Sequence, residues 1–264
     1  MSEKRDILGH LEELRRRTIY ILVAVGILAF FCLAFGFKTF NVNGITLAYP
    51  YPAYPFTDTV SVSVYFFKRM VSDLVPKGVS TIVTTPVDAF LVQLQISIFL
   101  GVALGMPWIV YHVGRFVSPG LHPHEKKMIL RTLGPAALLF AAGCIFSYIL
   151  IIPFTFQFLY GYAFTMVDLP YLNINEFISF VLLLMVAFGF VFELPVIMAG
   201  LAYLGMVSAE FWKRNWRYAV VAIFVFAALI TPDGTGVTQT LVAVPMLILY
   251  FAGYLVCKRI YKTK

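Results

Sequence analysis

The sequence predicts an all-α polytopic membrane protein with six transmembrane helices and both termini on the cytoplasmic side. Three observations carry that prediction. Of 264 residues, 61% are hydrophobic and 12% charged, against about 45–50% and about 25% in an ordinary soluble domain, so there is too little charge to coat a water-facing surface. Six apolar runs approach the roughly 20 helical residues that cross a hydrocarbon core, where every backbone N–H and C=O must be paired within the chain. Finally, sixteen of the twenty Lys and Arg residues fall on one side of those runs, as cytoplasmic loops do. The net charge of +7 therefore speaks of orientation and not of nucleic acid, which would need the charge gathered on one folded face.

The chain reads as a single integral membrane domain over 1–264. Residues 1–17 form an amphipathic helix with Ile7, Leu8, Leu11 and Leu14 on one side, expected to lie on the inner membrane surface. The first span is 18–37; no small-residue cleavage site follows it before Lys38, which argues against a signal peptide. An external loop, 38–85, begins with a Tyr/Pro stretch (Tyr49 to Pro55) that cannot be helical, because each Pro restricts the residue before it. Val60 to Leu74 then reads as a short amphipathic helix at the outer interface. The second span, 89–117, carries Gln93, Gln95 and a Pro107 expected to bend it.

The third span, 133–152, is bounded by Pro153, and an aromatic-rich external loop follows over 154–174. The fourth, 177–206, holds one charge, Glu193, just before Leu194 and Pro195. Spans five (216–230) and six (240–257) are short: their apolar runs, Tyr218–Ile230 and Leu241–Cys257, are about 20 Å and about 25 Å long at the helical rise. They either cross a thinned membrane or form a re-entrant hairpin around the turn Thr231 to Gly236.

Orientation follows from the basic residues. Lys4, Arg5, Arg15, Arg16 and Arg17 precede span one; Arg115, Lys126, Lys127 and Arg131 follow span two; Lys213, Arg214 and Arg217 follow span four; Lys258, Arg259, Lys262 and Lys264 close the chain. Only Lys38, Lys68, Arg69 and Lys77 fall on the other side.

Among residues that could carry chemistry, Glu193 stands out. An ionised carboxylate deep in hydrocarbon costs about 2.5–3.5 kcal/mol on insertion scales, so it should be neutral or paired and face protein or water. It is open to a structural hydrogen bond, a proton-coupled role or partner docking. Glu12 and Glu13 can pair with Arg16 and Arg17 at i,i+4, a purely helical explanation; a carboxylate on this surface is equally suited to a guanidinium, whose fork it matches bidentately. Glu125 sits where it could merely complement a helix dipole, yet Glu13 and Glu125 together could hold a dicationic ligand. His122 and His124 are two apart, and Cys32, Cys144 and Cys257 lie in separate apolar stretches, so no metal site or cofactor is expected. No nucleophile elbow, zinc-protease helix or phosphate loop is present, and nothing argues for an enzyme.

Four motifs in order resemble the TatC family, signal-peptide receptors of the twin-arginine translocase. They are His10-Leu11-Glu12-Glu13-Leu14-Arg15-Arg16-Arg17, the run from Ser118-Pro119-Gly120 to Glu125-Lys126-Lys127, Phe192-Glu193-Leu194-Pro195, and Thr231-Pro232-Asp233. The resemblance implies a concave, glove-like arrangement of six helices with short fifth and sixth spans. It further implies export of folded proteins across the cell membrane on the proton-motive force. The partners it implies are twin-arginine signal peptides, TatA and/or TatB, other TatC copies and membrane lipid. The signal-peptide site maps onto Glu13 and Glu125, with Phe116, Arg15 and Arg17 alongside. The intramembrane site for TatA or TatB maps onto Glu193, and the polar residues between spans five and six onto Asp233 and Gln239. Two departures stand out: the family's Tyr-Gln-x-Trp-x-Phe is here Tyr111-His112-Val113-Gly114-Arg115-Phe116, and two extra residues separate Asp233 from Gln239.

The competing reading is a proton-coupled small-molecule carrier with Glu193 as its relay. A single intramembrane acid and the lack of an internal repeat weigh against it.

Overall fold

A computed structural model describes residues 2–42, 45–53, 57–117, 123–167, 170–231 and 235–262, with side chains described for 11–39, 48–53, 57–116, 134–167, 170–231 and 235–260. Five helical stretches are long and apolar enough to cross a membrane: Leu11–Ala34, Asp88–Phe116, Gly134–Ala163, Ile174–Tyr203 and Gly236–Ile260. A sixth, Trp216–Ile230, is apolar and shorter. The protein is thus a multi-pass membrane protein, and its apolar runs became helices because hydrocarbon offers the backbone no other partner. The chain divides into two compact units, Met1–Phe116 with Tyr160–Leu182, and Val117–Leu159 with Leu183–Lys264.

In the first unit, α1 runs unbroken over Ser2–Ala34. The surface segment and the first span expected from the sequence are therefore one helix. Glu13, Leu14 and the three arginines are good helix formers, and an i,i+4 ion pair from Glu13 to Arg17 bridges the expected boundary. An antiparallel hairpin follows, β1 (Phe35–Val42) against β2 (Ile45–Pro52). Pro50 and Pro52 are tolerated because a two-stranded ribbon is all edge. Lys38 Nζ sits 4.1 Å from the centre of the Tyr51 ring, and the Ala53 N–H returns to the Ala34 carbonyl at 2.8 Å, closing the hairpin onto the end of α1.

The short amphipathic helix is α2 (Val62–Leu74), capped by Ser61, whose Oγ accepts from the Val64 N–H. Ser63, Met70 and Leu74 form its buried face, and Tyr65 points outward. Strand β3 (Ser80–Ile82) pairs in parallel with β4 (Tyr171–Asn173). The long helix α3 (Asp88–Val117) begins where the Asp88 carboxylate accepts from the Thr85 N–H at 2.8 Å and from Thr84 Oγ1 at 2.7 Å; Pro107 lies inside α3 without ending it. Gln95 on α3 ties to the start of α6 (Ile174–Phe192), donating to Asn175 Oδ1 at 3.1 Å and accepting from Ser179 Oγ at 3.2 Å.

In the second unit, α4 (Pro123–Phe146) does not stop at Pro153. It passes through a π-helical turn, Ser147–Ile151, into α5 (Ile152–Ala163). Widening the helix by one residue accommodates a proline whose ring and missing N–H would disrupt ordinary α pairing, and Thr155 Oγ1 donates to the Ile151 carbonyl at 2.9 Å. The first part of the loop expected over 154–174 is therefore helical. The expected fourth span is broken in two at Glu193, between α6 and α7 (Leu194–Tyr203). After the short α8 (Ala209–Arg214), α9 (Trp216–Ile230) is short as expected. Helix α10 (Gly236–Lys262) keeps the expected apolar run but extends past both of its ends.

Helix contacts here are close. A Cβ on Gly143 of α4 would meet the Phe188 carbonyl oxygen of α6, while Cys144 Sγ donates to the Met185 carbonyl at 3.3 Å. A Cβ on Gly253 of α10 would lie 2.7 Å from Met198 Sδ and 3.1 Å from Pro195 Cα of α7. Small residues let membrane helices approach and gain dispersion contacts that lipid cannot match.

Candidate functional site

Among the described residues, one polar feature in each unit is a candidate for function. In the first unit, Glu13 and Arg17 sit one turn apart on α1. Arg17 Nε donates to Glu13 Oε1 at 3.0 Å and its Nη2 reaches the same oxygen. Their side chains are 24% and 14% exposed, respectively, so the pair is partly desolvated while still reachable. Glu12, a residue earlier, makes no such ion pair with Arg16 among the described residues. An open hollow of about 550 Å³ follows this surface, lined by Glu12, Glu13, Arg15, Arg16, Ile19 and Tyr20.

Behind it, the far end of α3 supplies an aromatic cluster. The His112 ring centre is 4.7 Å from Trp108, 5.4 Å from Tyr111 and 5.8 Å from Tyr20. His112 is buried, and neither ring nitrogen has a hydrogen-bond partner among the described residues. Arg115 Nη1 donates to the Tyr111 hydroxyl at 3.0 Å, and Phe116 is half-buried on the last turn. The arrangement offers carboxylate acceptors, cationic neighbours and exposed aromatic faces at Tyr20 and Trp108, a surface able to order guanidinium groups.

Of the residues expected here, Glu13, Arg15 and Arg17 share one stretch of α1, and Phe116 lies on α3 of the same unit. The Glu125 backbone is in α4, but its side chain lies outside the described residues, as does all of Asp233. In the sequence His112 stands out as a departure from the family motif, whereas Tyr20 and Trp108 join it only in the structure. Their signal was spacing: Tyr20 is seven residues from Glu13, and Trp108 four from His112, each on one helical face.

In the second unit, Glu193 occupies the break between α6 and α7. It is 8% exposed, and its Oε1 is buried without a hydrogen-bond partner among the described residues. Pro195 on the first turn of α7 has no N–H for the Val191 carbonyl, so the helix cannot run on unchanged. The backbone re-forms with the Glu193 N–H on the Phe190 carbonyl at 3.1 Å and the Ile197 N–H on the Glu193 carbonyl at 2.9 Å. Phe140 with Phe190, and Phe146 with Phe192, make ring contacts on the neighbouring turns, so the carboxyl is set among apolar groups. Gln239 at the start of α10 donates from Nε2 to the Phe224 carbonyl of α9 at 2.9 Å, which staples two helices together. Among the described residues no three His, Cys, Asp or Glu side chains gather as metal ligands.

Comparison with known proteins decides the family. The family model described as Sec-independent protein translocase protein (TatC) matches residues 9–245. The chain belongs to the TatC family. It is 41% identical over 250 residues to the Sec-independent protein translocase protein TatC of Cenarchaeum symbiosum, covering 95% of this chain and 93% of that one. Similarity extends to the chloroplastic TATC of Pisum sativum, 31% identical, with 96% of this chain and 64% of that one covered. A crystal structure of the twin-arginine translocase receptor TatC superposes with a TM-score of 0.76 at 30% identity, covering 96% of this chain and 99% of that one. Membership in TatC makes the protein a Sec-independent translocase subunit and sets aside the solute-carrier alternative.

Proposed function

We propose that this TatC chain captures the paired arginines of twin-arginine signal peptides on the Glu13 face of α1 and thereby starts the export of folded precursors. The observation that carries the reading is the Glu13–Arg17 contact: a partly buried carboxylate already holding a guanidinium is shaped for the guanidinium of a ligand. Glu125 supplies the second carboxylate, with Arg15, Arg17 and Phe116 around the pair. Glu193, a buried acid at a helix break, meets a polar residue of a TatA or TatB helix; Asp233 belongs to the loop before α10, and Gln239 positions that loop by holding α9. The chain lies in the cytoplasmic membrane with both termini inside, a reading the Lys/Arg bias supports. It works with further TatC copies, surrounded by lipid, and the proton-motive force drives transport; it performs no enzymatic step.

The test is capture of a twin-arginine precursor by the full chain in membranes. Glu13→Ala and Glu125→Ala should each weaken capture, and Arg-to-Lys changes in the precursor should mimic the loss. Intact capture by both variants would sink the assignment.

A further inference from the structure

At the hairpin end of the first unit lies a cavity of about 620 Å³ that neither the Glu13 face nor Glu193 touches, bounded by Leu33 of α1, Val64 and Phe67 of α2, Phe90 and Gln93 of α3, and Ile174 of α6. Its volume falls within the range of small-ligand pockets, and apart from the Gln93 amide these walls are apolar. The cavity is braced open. Gln93 Nε2 donates to the Leu33 carbonyl at 3.2 Å and to Ser61 Oγ at 3.1 Å, pinning the last turn of α1 and the cap of α2 to α3. Both α1 and α3 are apolar enough to cross a membrane, and the cavity lies beside the last turn of one and the first turn of the other. That is the level where acyl chains meet headgroups. Phe90, one of its walls, is 57% exposed, so the cavity opens outward there.

Charge selects the occupant. On α2, Lys68 follows Val64 by one turn and so shares its face. Arg69 Nε is held by Asp73 Oδ2 at 2.9 Å. Exposed Lys68 has no ion pair among the described residues and is left as the cation at this rim. We propose that the cavity takes one acyl chain of an anionic phospholipid, whose phosphate sits at Lys68. A zwitterionic lipid offers the same chain without the net charge, so the preference should be about five-fold, the worth of one lysine near an anionic headgroup.

The test uses the full chain in dodecyl maltoside with phosphatidylglycerol or phosphatidylcholine added, retained lipid being counted by native mass spectrometry. The unaltered chain should hold one phosphatidylglycerol about five-fold better than phosphatidylcholine. Lys68→Ala, an exposed change that leaves packing alone, should bring the two to parity. Val64→Trp, which fills the cavity, should retain neither. Equal retention by the unaltered chain, or a preference that survives Lys68→Ala, overturns the headgroup assignment; undiminished retention by Val64→Trp overturns the cavity. Should Val64→Trp fail to fold, phosphatidylglycerol carrying a diazirine on its acyl chain decides the matter. Labelling of Leu33, Phe67 or Phe90 supports the site, and labelling elsewhere, or an apolar peptide found in the lipid's place, overturns it.

Discussion

Arg17 closes on Glu13 with two guanidinium nitrogens directed to a single carboxylate oxygen. The chain thus holds, on its own first helix, the chemistry that an arginine-bearing ligand would present. Glu13→Gln preserves the shape and removes the charge. Since hydrogen bonds to charged groups contribute about 1.5–3 kcal/mol, precursor affinity should fall about ten- to hundred-fold, read by titrating a labelled twin-arginine peptide against the detergent-solubilised chain. Thermal stability should change little, because an i,i+4 helix pair contributes only about 0.3–0.5 kcal/mol.

His112 presents the opposite situation, a buried ring whose two nitrogens find no hydrogen-bond partner among the described residues. Replacing an unpaired buried polar group by an apolar one of similar size removes a desolvation cost of about 1–3 kcal/mol. His112→Leu should therefore unfold at an equal or higher temperature than the unaltered chain. A clear drop would show that the nitrogens hold a bound group.

Two glycines separate close packing from mere flexibility. A Cβ at Gly143 meets the backbone carbonyl of Phe188, which cannot rotate away, whereas a Cβ at Gly26 has nothing within 4 Å. Gly143→Ala should cost about 1–3 kcal/mol, and Gly26→Ala should be neutral or slightly stabilising, by at most about 1 kcal/mol. Thermal unfolding of the two variants side by side distinguishes them.

Glu193 should show a split between stability and activity. Glu193→Leu removes a buried oxygen that has no partner among the described residues and should leave the isolated chain at least as stable, for the same reason as His112→Leu. Export of a twin-arginine precursor should nonetheless fall sharply in membranes containing the small single-span partners. A loss of folding and export together would make Glu193 a structural residue.

Much of the molecule could be read from residue order, because hydrocarbon simplifies the problem. Runs such as Ile174–Tyr203 must be helical where no water can satisfy the backbone, and Pro195 announces the break beside Glu193. The Tyr/Pro stretch was legible as non-helical over its described part, Tyr49 to Ala53, and Val60 to Leu74 as a short helix. Pro153 misled, since a π turn lets a helix absorb a proline at local cost. The segment 1–17 misled as well: amphipathicity describes which side of a helix is apolar, and is silent on whether that helix joins the next.

For the candidate site, the acids and arginines were legible as single residues, each with a bland and a functional explanation. Choosing Glu13 with Arg17 over Glu12 with Arg16 required coordinates, and so did finding Tyr20, Trp108 and Tyr111 around His112. Composition and run length determined by themselves that this chain is a multi-pass membrane protein with few carboxylates, since those are one-dimensional consequences of the bilayer as solvent. Which polar groups pair, which stay orphaned and where a cavity is braced open were decided only in three dimensions. Such contacts join residues as far apart in sequence as Gln93 and Leu33, and no local pattern encodes a distance across sixty residues of intervening chain.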